Sequence, residues 1–178
     1  MASVAAGVPP GSTLAVCPRV AQPERGTSHF VATDRHGNVA SLTSTIESEF
    51  GSGLMVNGYY LNNELTDFSF LPQKDGCPAA NRVEGGKRPR SSMSPTIVHA
   101  PDGRVRLAVG AAGGPTIIAQ VAKAIIGVVD WKLSAKDAIA LPVLFSPGDT
   151  VFVERGSAHE AIIPALRALG HARVEPRD

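Results

Sequence analysis

Small or apolar residues alternate with hydroxyl residues over 39–46, which is the pattern of a half-buried β-strand. Residues 29–33 predict a shorter strand just before it. The intervening segment 34–38 ends in Gly37-Asn38, and both of these residues tolerate the positive φ of a tight turn. The pattern therefore predicts a hairpin with Thr27 at its open end.

A second hairpin and a helix are predicted further along the chain. Residues 96–100 and 105–109 predict two strands joined by a turn at Pro101-Asp102-Gly103. Residues 111–114 then lead into a helix, and Pro115 suits its first turn. The predicted apolar face comprises Ile117, Ile118, Val121, Ala122, Ile125, Ile126 and Val129, with Gln120, Lys123 and Gly127 marking the other face.

Several shorter elements complete the pattern. They are a strand at 59–61, an irregular surface loop at 69–90, a strand at 151–154 and a helix that starts at Ser134 and ends before Pro142. A last helix is predicted over 157–169, kinked or delayed by Pro164, with Gly170 as its C-cap. Strands outnumber helices, so the sequence predicts an α+β sandwich.

Composition limits the function classes. The 178 residues are 43% hydrophobic, which suits one globular domain over 27–178. Residues 1–26 contain four prolines and are expected to be a flexible lead-in. A net charge of +1 gives no electrostatic case for nucleic acid or membrane surfaces, and no apolar run is long enough for a membrane span. The N-terminus lacks the basic and apolar regions of a signal peptide.

The two cysteines, Cys17 and Cys77, both lie in stretches that contain Pro or Gly. No His or Cys lies at zinc-ligand spacing from either of them. Two isolated, non-catalytic thiols are the preferred interpretation, and a disulfide stays open.

Thr27 and Thr45 are the first candidate chemical pair. A threonine hydroxyl becomes nucleophilic beside a base, and a cut between Gly26 and Thr27 would free an α-amino group for that role. Thr45 on the paired strand is placed to orient the Thr27 hydroxyl. The alternative is that both are ordinary strand threonines.

Three further segments carry candidate chemistry. Glu64 and Asp67 are three residues apart, so one helical turn would point both carboxylates at a substrate ammonium. Ser91-Ser92 could bind a carboxylate. Gly113-Gly114 at a helix start could offer N–H groups to an oxyanion. The alternatives are a solvated acidic turn, a polar loop beside a solvated basic rim, and an ordinary tight connection.

Taken together, these segments resemble the small catalytic subunit of the γ-glutamyltranspeptidase family from about Thr27 to the C-terminus. The most specific are Leu61-Asn62-Asn63-Glu64 and Ser91-Ser92-Met93-Ser94-Pro95-Thr96. The matching segments, in order, are 27–30, 34–38, 43–47, 50–53, 61–68, 87–89, 91–96 and 110–114.

The resemblance implies the αββα four-layer sandwich of the N-terminal-nucleophile hydrolases and a precursor that cleaves itself before Thr27. It implies that Thr27 is the nucleophile, that its freed amine is the base and that Thr45 supports its hydroxyl. It also implies a γ-glutamyl donor such as glutathione, an acyl-enzyme ester, and release to water or an acceptor amine. No metal or organic cofactor is implied.

The resemblance assigns the binding roles residue by residue. Glu47, Glu64 and Asp67 would hold the donor's α-amino group, Ser91 and Ser92 its α-carboxylate, and Gly113 and Gly114 the oxyanion. Position 47 is Glu where many members have Asn. A third acid is expected to strengthen ammonium capture and to raise one carboxylate pKa.

Other departures concern missing parts. Residues 68–90 contain no Tyr or Trp, so a full lid is not expected and the cleft is expected to admit larger donors. Only 26 residues precede Thr27, so the family's large subunit, with its carboxylate-binding arginine, is not in this sequence. The C-terminus also looks short of the final strands. The chain is therefore expected to be a fragment of a precursor or an incomplete gene product.

Two alternative functions stay open. A glutaryl-type β-lactam acylase would use the same nucleophile, but its substrate has no ammonium for the three acids to bind. An inactive fragment that needs a separately supplied large subunit is the other. Periplasmic or secreted localisation follows only from the resemblance, because no export signal is present.

Overall fold

The computed structural model describes residues 26–178, which form a mixed α/β fold. The predicted first hairpin is confirmed: β1 (Thr27–Thr33) pairs antiparallel with β2 (Val39–Thr45). Asp34 stabilises the turn by accepting hydrogen bonds from the backbone N–H groups of His36 and Asn38 at 2.8 and 2.9 Å. The register places Thr27 opposite Thr45 at the open end of the hairpin.

Short strands and a single 3-10 turn connect the two main hairpins. β3 (Met55–Val56) pairs with β4 (Tyr59–Tyr60), so the predicted strand at 59–61 is one residue shorter. The acidic segment Glu64–Asp67 forms the 3-10 turn. The segment predicted as an irregular loop at 69–90 is largely that, but it contains the small hairpin of β5 (Gln73–Lys74) and β6 (Cys77–Pro78).

Cys77 takes part in a disulfide bond. The preferred interpretation of isolated thiols is therefore wrong for Cys77. The sequence could not decide between the two, because pairing depends on a spatial approach that cysteine spacing does not reveal. Cys17 and the predicted lead-in 1–25 lie outside the described residues.

The second hairpin and the main helix form the central core. β7 (Thr96–His99) pairs with β8 (Val105–Val109), and a 3-10 turn at Gly114–Thr116 leads into α1 (Ile117–Val129). The buried core residues are Val109, Ile117, Val121 and Ala124, against which Met93, Leu107, Ala111 and Ile125 pack.

The faces of α1 differ in part from the prediction. Ile118 and Ile126 are 57% and 42% exposed. Gly127, predicted on the polar face, is buried because α2 (Ala135–Ala140) crosses there; a Cβ on Gly127 would lie 2.8 Å from that of Ala138. Ser134 caps α2 by accepting from the Asp137 N–H, as predicted.

The C-terminal part has its own small core. β9 (Leu144–Phe145) and β11 (Arg173–Arg177) flank β10 (Thr150–Glu154), and β11 runs parallel to β10. Only residues 163–168 of the predicted last helix are α-helical (α3, Ile163–Ala168), after a 3-10 segment at Ala158–Ile162. Pro164 sits in the first turn of α3, so it delays the helix rather than kinking it. The sequence prediction missed β11.

Candidate active site

One cleft collects most of the predicted site residues. Its lining comprises Thr27, Thr45, Glu47, Asp67, Ser91, Ser92, Met93 and Ile117. Six of these eight were predicted from sequence, although they come from four separate segments of the chain. The first hairpin carries Thr27 and Thr45, and the 3-10 turn carries Asp67. Loops and the first residue of α1 carry the others.

The two threonines at the open end of the hairpin are linked through their hydroxyls. Thr27 Oγ1 donates to Thr45 Oγ1 at 3.4 Å. Thr45 Oγ1 also accepts from the Glu47 N–H at 2.8 Å and donates to the Gly26 carbonyl at 3.4 Å. A hydroxyl has one proton and two lone pairs, so these three bonds use its full capacity. Thr45 thus contacts both the predicted nucleophile and the carbonyl of the bond that is predicted to be cut.

Gly26 adopts a backbone conformation that other residues rarely take. Its φ is +98°, and a Cβ at this position would lie 2.8 Å from the Glu47 carbonyl oxygen. A side chain would therefore move the Gly26 carbonyl away from Thr45. Glycine at this position fixes the geometry of the peptide bond that precedes Thr27.

Glu47 is strained and firmly held. Its φ of +70° is unusual for a residue that is not glycine. Its carboxylate Oε2 accepts from Asn63 Nδ2 at 2.6 Å, and Asn63 Oδ1 accepts from the Ser48 N–H at 3.2 Å. Asn63 therefore couples Glu47 to the acidic turn, a role that the sequence prediction did not assign although Asn63 lies inside the most specific motif.

Asp67 is the buried acid of the cleft, with 7% of its surface exposed. Burial raises the pKa of its carboxyl above the ordinary 3.8, and repulsion from Glu47 raises it further. A hydrogen bond with the Glu64 side chain and the positive charge of Arg90 lower the pKa in part. Glu64 is thus beside Asp67 but does not itself line the cleft.

The sequence interpretation of the basic residues Lys87, Arg88 and Arg90 as solvated is wrong for Arg90. Lys87 and Arg88 are exposed, and Lys87 pairs with Glu84 at 2.8 Å. Arg90 is half-buried and acts electrostatically on Asp67. Only the packing of the loop 69–90 distinguishes Arg90 from its neighbours, so residue type alone could not predict that it is half-buried.

The serine pair lies in the segment that precedes β7. Ser92 is half-buried and Ser91 is exposed, and both line the cleft. Ser91 Oγ accepts a weak hydrogen bond from the Met93 N–H at 3.3 Å, which leaves its proton available to a ligand. Both serines therefore border the same space as Glu47 and Asp67.

The glycine pair at the helix start, like Glu64, was predicted as part of the site but lies outside the cleft lining. Gly113 and Gly114 have φ of +115° and +58°, and Gly114 is buried. Thr116 Oγ1 donates to the Gly113 carbonyl at 2.8 Å and closes the turn. The turn leads directly into Ile117, which does line the cleft.

Within residues 26–178, no group of three or more His, Cys, Asp or Glu side chains is arranged to hold a metal ion. None of the helices in this part of the chain combines the length and apolar character that a membrane crossing requires.

Comparison with known proteins decides the family. Residues 6–178 match the family model described as Gamma-glutamyltranspeptidase. This chain belongs to the γ-glutamyltranspeptidase family. The resemblance inferred from the sequence is thereby confirmed over nearly the whole chain.

Comparison with two relatives shows what share of a family member this chain covers. The glutathione hydrolase proenzyme of Bacillus subtilis subsp. natto is 39% identical over 150 residues, which is 83% of this chain and 24% of that protein. A mutant γ-glutamyltranspeptidase of Helicobacter pylori superimposes with a TM-score of 0.73 at 34% identity, covering 84% of each chain. This chain thus spans about a quarter of that curated relative.

A third family member is shorter. The putative inactive glutathione hydrolase 4 of Arabidopsis thaliana is 42% identical over 132 residues, which is 68% of both chains. Close similarity in this region therefore occurs in a protein whose name describes it as inactive, so activity has to be argued from the site.

Proposed function

We propose that this chain is the catalytic part of a γ-glutamyltransferase and glutathione hydrolase, with Thr27 as its nucleophile. The observation that carries the proposal is the single cleft that joins the Thr27–Thr45 pair to two acids and two serines. These groups match the three parts of a γ-glutamyl donor: a reacting carbonyl, an ammonium and a carboxylate.

Self-cleavage comes first. The Thr27 hydroxyl attacks the carbonyl carbon of Gly26. The Gly26 acyl group moves from the Thr27 nitrogen to Oγ1 while the hydroxyl proton moves to that nitrogen, and water then hydrolyses the resulting ester. The Thr45 hydroxyl, 3.4 Å from the Gly26 oxygen, supports the negative charge that develops there. The products are a new carboxylate at Gly26 and a free α-amino group on Thr27.

The freed amine then acts as the general base of turnover. It removes the proton from Thr27 Oγ1, which attacks the γ-carbonyl of the donor, and it delivers that proton to the leaving amine. The acyl-enzyme ester is resolved by water, which gives hydrolysis, or by an acceptor amine, which gives transfer. The N–H groups of Gly113 and Gly114 stabilise the oxyanion of both steps.

Charge sets the donor preference. Glu47 and Asp67 line the cleft and Glu64 adjoins Asp67, so acidic groups surround the place for an ammonium. Ser91 and Ser92 hold the α-carboxylate at the other side. A glutaryl group lacks the ammonium and would leave buried acid unpaired, so this arrangement disfavours the acylase alternative.

The proposal includes a large subunit and the complete layered fold. Exposed apolar side chains on α1, such as Ile118 and Ile126, need a covering layer. We assign that layer to the large subunit of the same precursor, which completes an αββα four-layer sandwich. The disulfide at Cys77 supports an oxidising compartment, in agreement with periplasmic or secreted localisation.

Release of an anilide tests the proposed function. The chain, expressed with the large-subunit region, is expected to release aniline faster from a γ-glutamyl anilide than from a glutaryl anilide. Thr27→Ala is expected to abolish both self-cleavage and release. Thr33→Ala, at the other end of β1, is the matched control and should leave both unchanged. Faster release from the glutaryl compound would overturn the donor assignment, and persistent uncut protein would favour the inactive-fragment alternative.

A further inference from the structure

His29 lies on the same face of β1 as Thr27, because alternate residues of a strand point to the same side. Both residues are half-buried, whereas Ser28 between them is exposed. His29 Nδ1 is 2.8 Å from the hydroxyl of Thr43, which is buried and lies directly opposite on β2. This hydrogen bond fixes the orientation of the imidazole ring.

The ring fills a space that Gly110 leaves open. A Cβ on Gly110 would lie 2.2 Å from His29 Nδ1, 2.3 Å from Cε1 and 2.5 Å from Cγ. Gly110 follows β8 directly and precedes the Gly113-Gly114 turn by three residues. The imidazole therefore separates the strand that carries the nucleophile from the end of β8.

His29 Nε2 is buried and has no hydrogen-bond partner among the described residues. Among the described residues, the ring is thus hydrogen-bonded on one side, to Thr43. Its other contribution is to fill the space beside Gly110. Nothing in the proposed reaction requires a proton from this group, since the Thr27 amine serves as base.

We infer that His29 is a positioning residue that sets the separation between Thr27 and the Gly113-Gly114 turn. The inference rests on the proposed function, because that separation matters when the turn stabilises the oxyanion formed at Thr27. A shift of about 1 Å between reacting groups can reduce the rate about 100-fold. Contact through the ring is short and stiff, so a change in its volume is transmitted to both sides.

A double-mutant cycle tests the contact. Gly110→Ala is expected to lower kcat on a γ-glutamyl anilide about 100-fold, with KM changing less than about threefold. His29→Ala removes the ring that the new Cβ would strike, so the double variant is expected to recover at least about tenfold of the lost kcat. The midpoint of urea unfolding is followed for all four proteins, and it should show the same partial rescue.

Two single variants keep the test valid if Gly110→Ala fails to fold. His29→Phe retains a ring of similar size without the Thr43 hydrogen bond, and it is expected to keep kcat within about threefold and the pH profile unchanged. His29→Asn retains a hydrogen-bonding group without the ring volume, and kcat should fall about tenfold. The opposite order would show that hydrogen bonding or proton transfer, not spacing, is the role of His29 and would overturn the inference.

The failures of the two proposals are distinguishable. Additive losses in the unfolding cycle contradict the inference whether or not the protein is active. If the wild-type protein turns over the donor but the double variant recovers no kcat, the inference is contradicted. The proposed function is then unaffected. A wild-type protein that releases no γ-glutamyl group contradicts the proposed function itself.

Discussion

The hydroxyl of Thr27 donates to the hydroxyl of Thr45 across 3.4 Å, and Thr45 in turn donates to the carbonyl of Gly26 across 3.4 Å. One side chain on β2 therefore contacts both the proposed nucleophile and the peptide bond whose cleavage is proposed to activate it. The antiparallel register that pairs Thr27 with Thr45 makes this double contact possible. Under the proposed function, self-cleavage and turnover therefore depend on the same hydroxyl.

Thr45→Val is expected to slow self-cleavage about 100-fold, because the variant loses the donor to the Gly26 carbonyl and the acceptor for the Glu47 N–H. Thr45→Ser keeps both groups and should cleave at nearly the wild-type rate. Intact mass measured against time gives the rates, and Thr33→Val controls for replacing a strand threonine. Equal rates for the Val and Ser variants would exclude this role.

The raised pKa of Asp67 predicts how the stability of the fold changes with pH. Burial raises its pKa in the folded state above 3.8, so the folded state binds the proton more tightly than the unfolded state. The contribution to stability is present below the ordinary pKa and is lost as pH rises through the raised one. As pH rises from acid to neutral, the free energy of unfolding of Asp67→Asn should therefore increase relative to that of wild type, as measured by urea denaturation.

Asp34 is the control for that experiment, because its pKa is shifted the other way. Hydrogen bonds from the Asn38 side chain and backbone lower the pKa of Asp34. Its contribution is present above the ordinary pKa and is lost as pH falls through the lowered one. Asp34→Asn should thus change with pH in the opposite direction. Parallel changes in the two variants would contradict the assignment for Asp67.

Gly113→Ala should lower kcat by more than its loss of stability explains. Its φ of +115° disfavours any Cβ, which would also lie 2.8 Å from Thr116 Oγ1. Gly103→Ala is the matched control, since Gly103 has φ of +83° but open space around it. Gly103→Ala should lose about 1 kcal/mol in free energy of unfolding, and Gly113→Ala at least as much because its Cβ also meets Thr116. Only Gly113→Ala should impair turnover of a γ-glutamyl anilide, and equal turnover in the two variants would remove the turn from the mechanism.

Glu47→Gln should weaken the binding of donors that carry an ammonium. Loss of one charge-assisted contact is expected to raise KM for a γ-glutamyl anilide about tenfold and to leave a glutaryl anilide unaffected. Glu49→Gln, an exposed neighbour outside the cleft lining, controls for the change in net charge. An equal rise in KM for both donors would show that Glu47 acts on the cleft structure rather than on the ammonium.

The local sequence pattern was enough to predict the elements that are stabilised by contacts between residues close in the chain. The β1–β2 hairpin was predictable from alternation and from the turn that Asp34 stabilises, and α2 was predictable from its Ser134 cap. The resemblance brought Thr27, Thr45, Asp67, Ser91 and Ser92 together as site residues, and the cleft contains them all.

Long-range packing set the features that were missed. Nothing local distinguishes Arg90 from Arg88, and the burial of Gly127 results from the crossing of α2. β11 pairs in parallel with β10 across a connection of 18 residues, 155–172, so its partner is not visible in the local pattern. The close approach of His29 and Gly110 brings together two hairpins whose first residues, Thr27 and Thr96, are 69 positions apart.

The mass of the chain after a short reaction with a γ-glutamyl anilide tests the central claim most directly. We expect a processed species that begins at Thr27 and carries one γ-glutamyl group, with peptide mapping placing the ester on the Thr27 hydroxyl. Thr27→Ser should carry the same label and Thr27→Ala none. A protein that turns the donor over while Thr27 stays uncut, or that carries the label on another residue, would contradict the account.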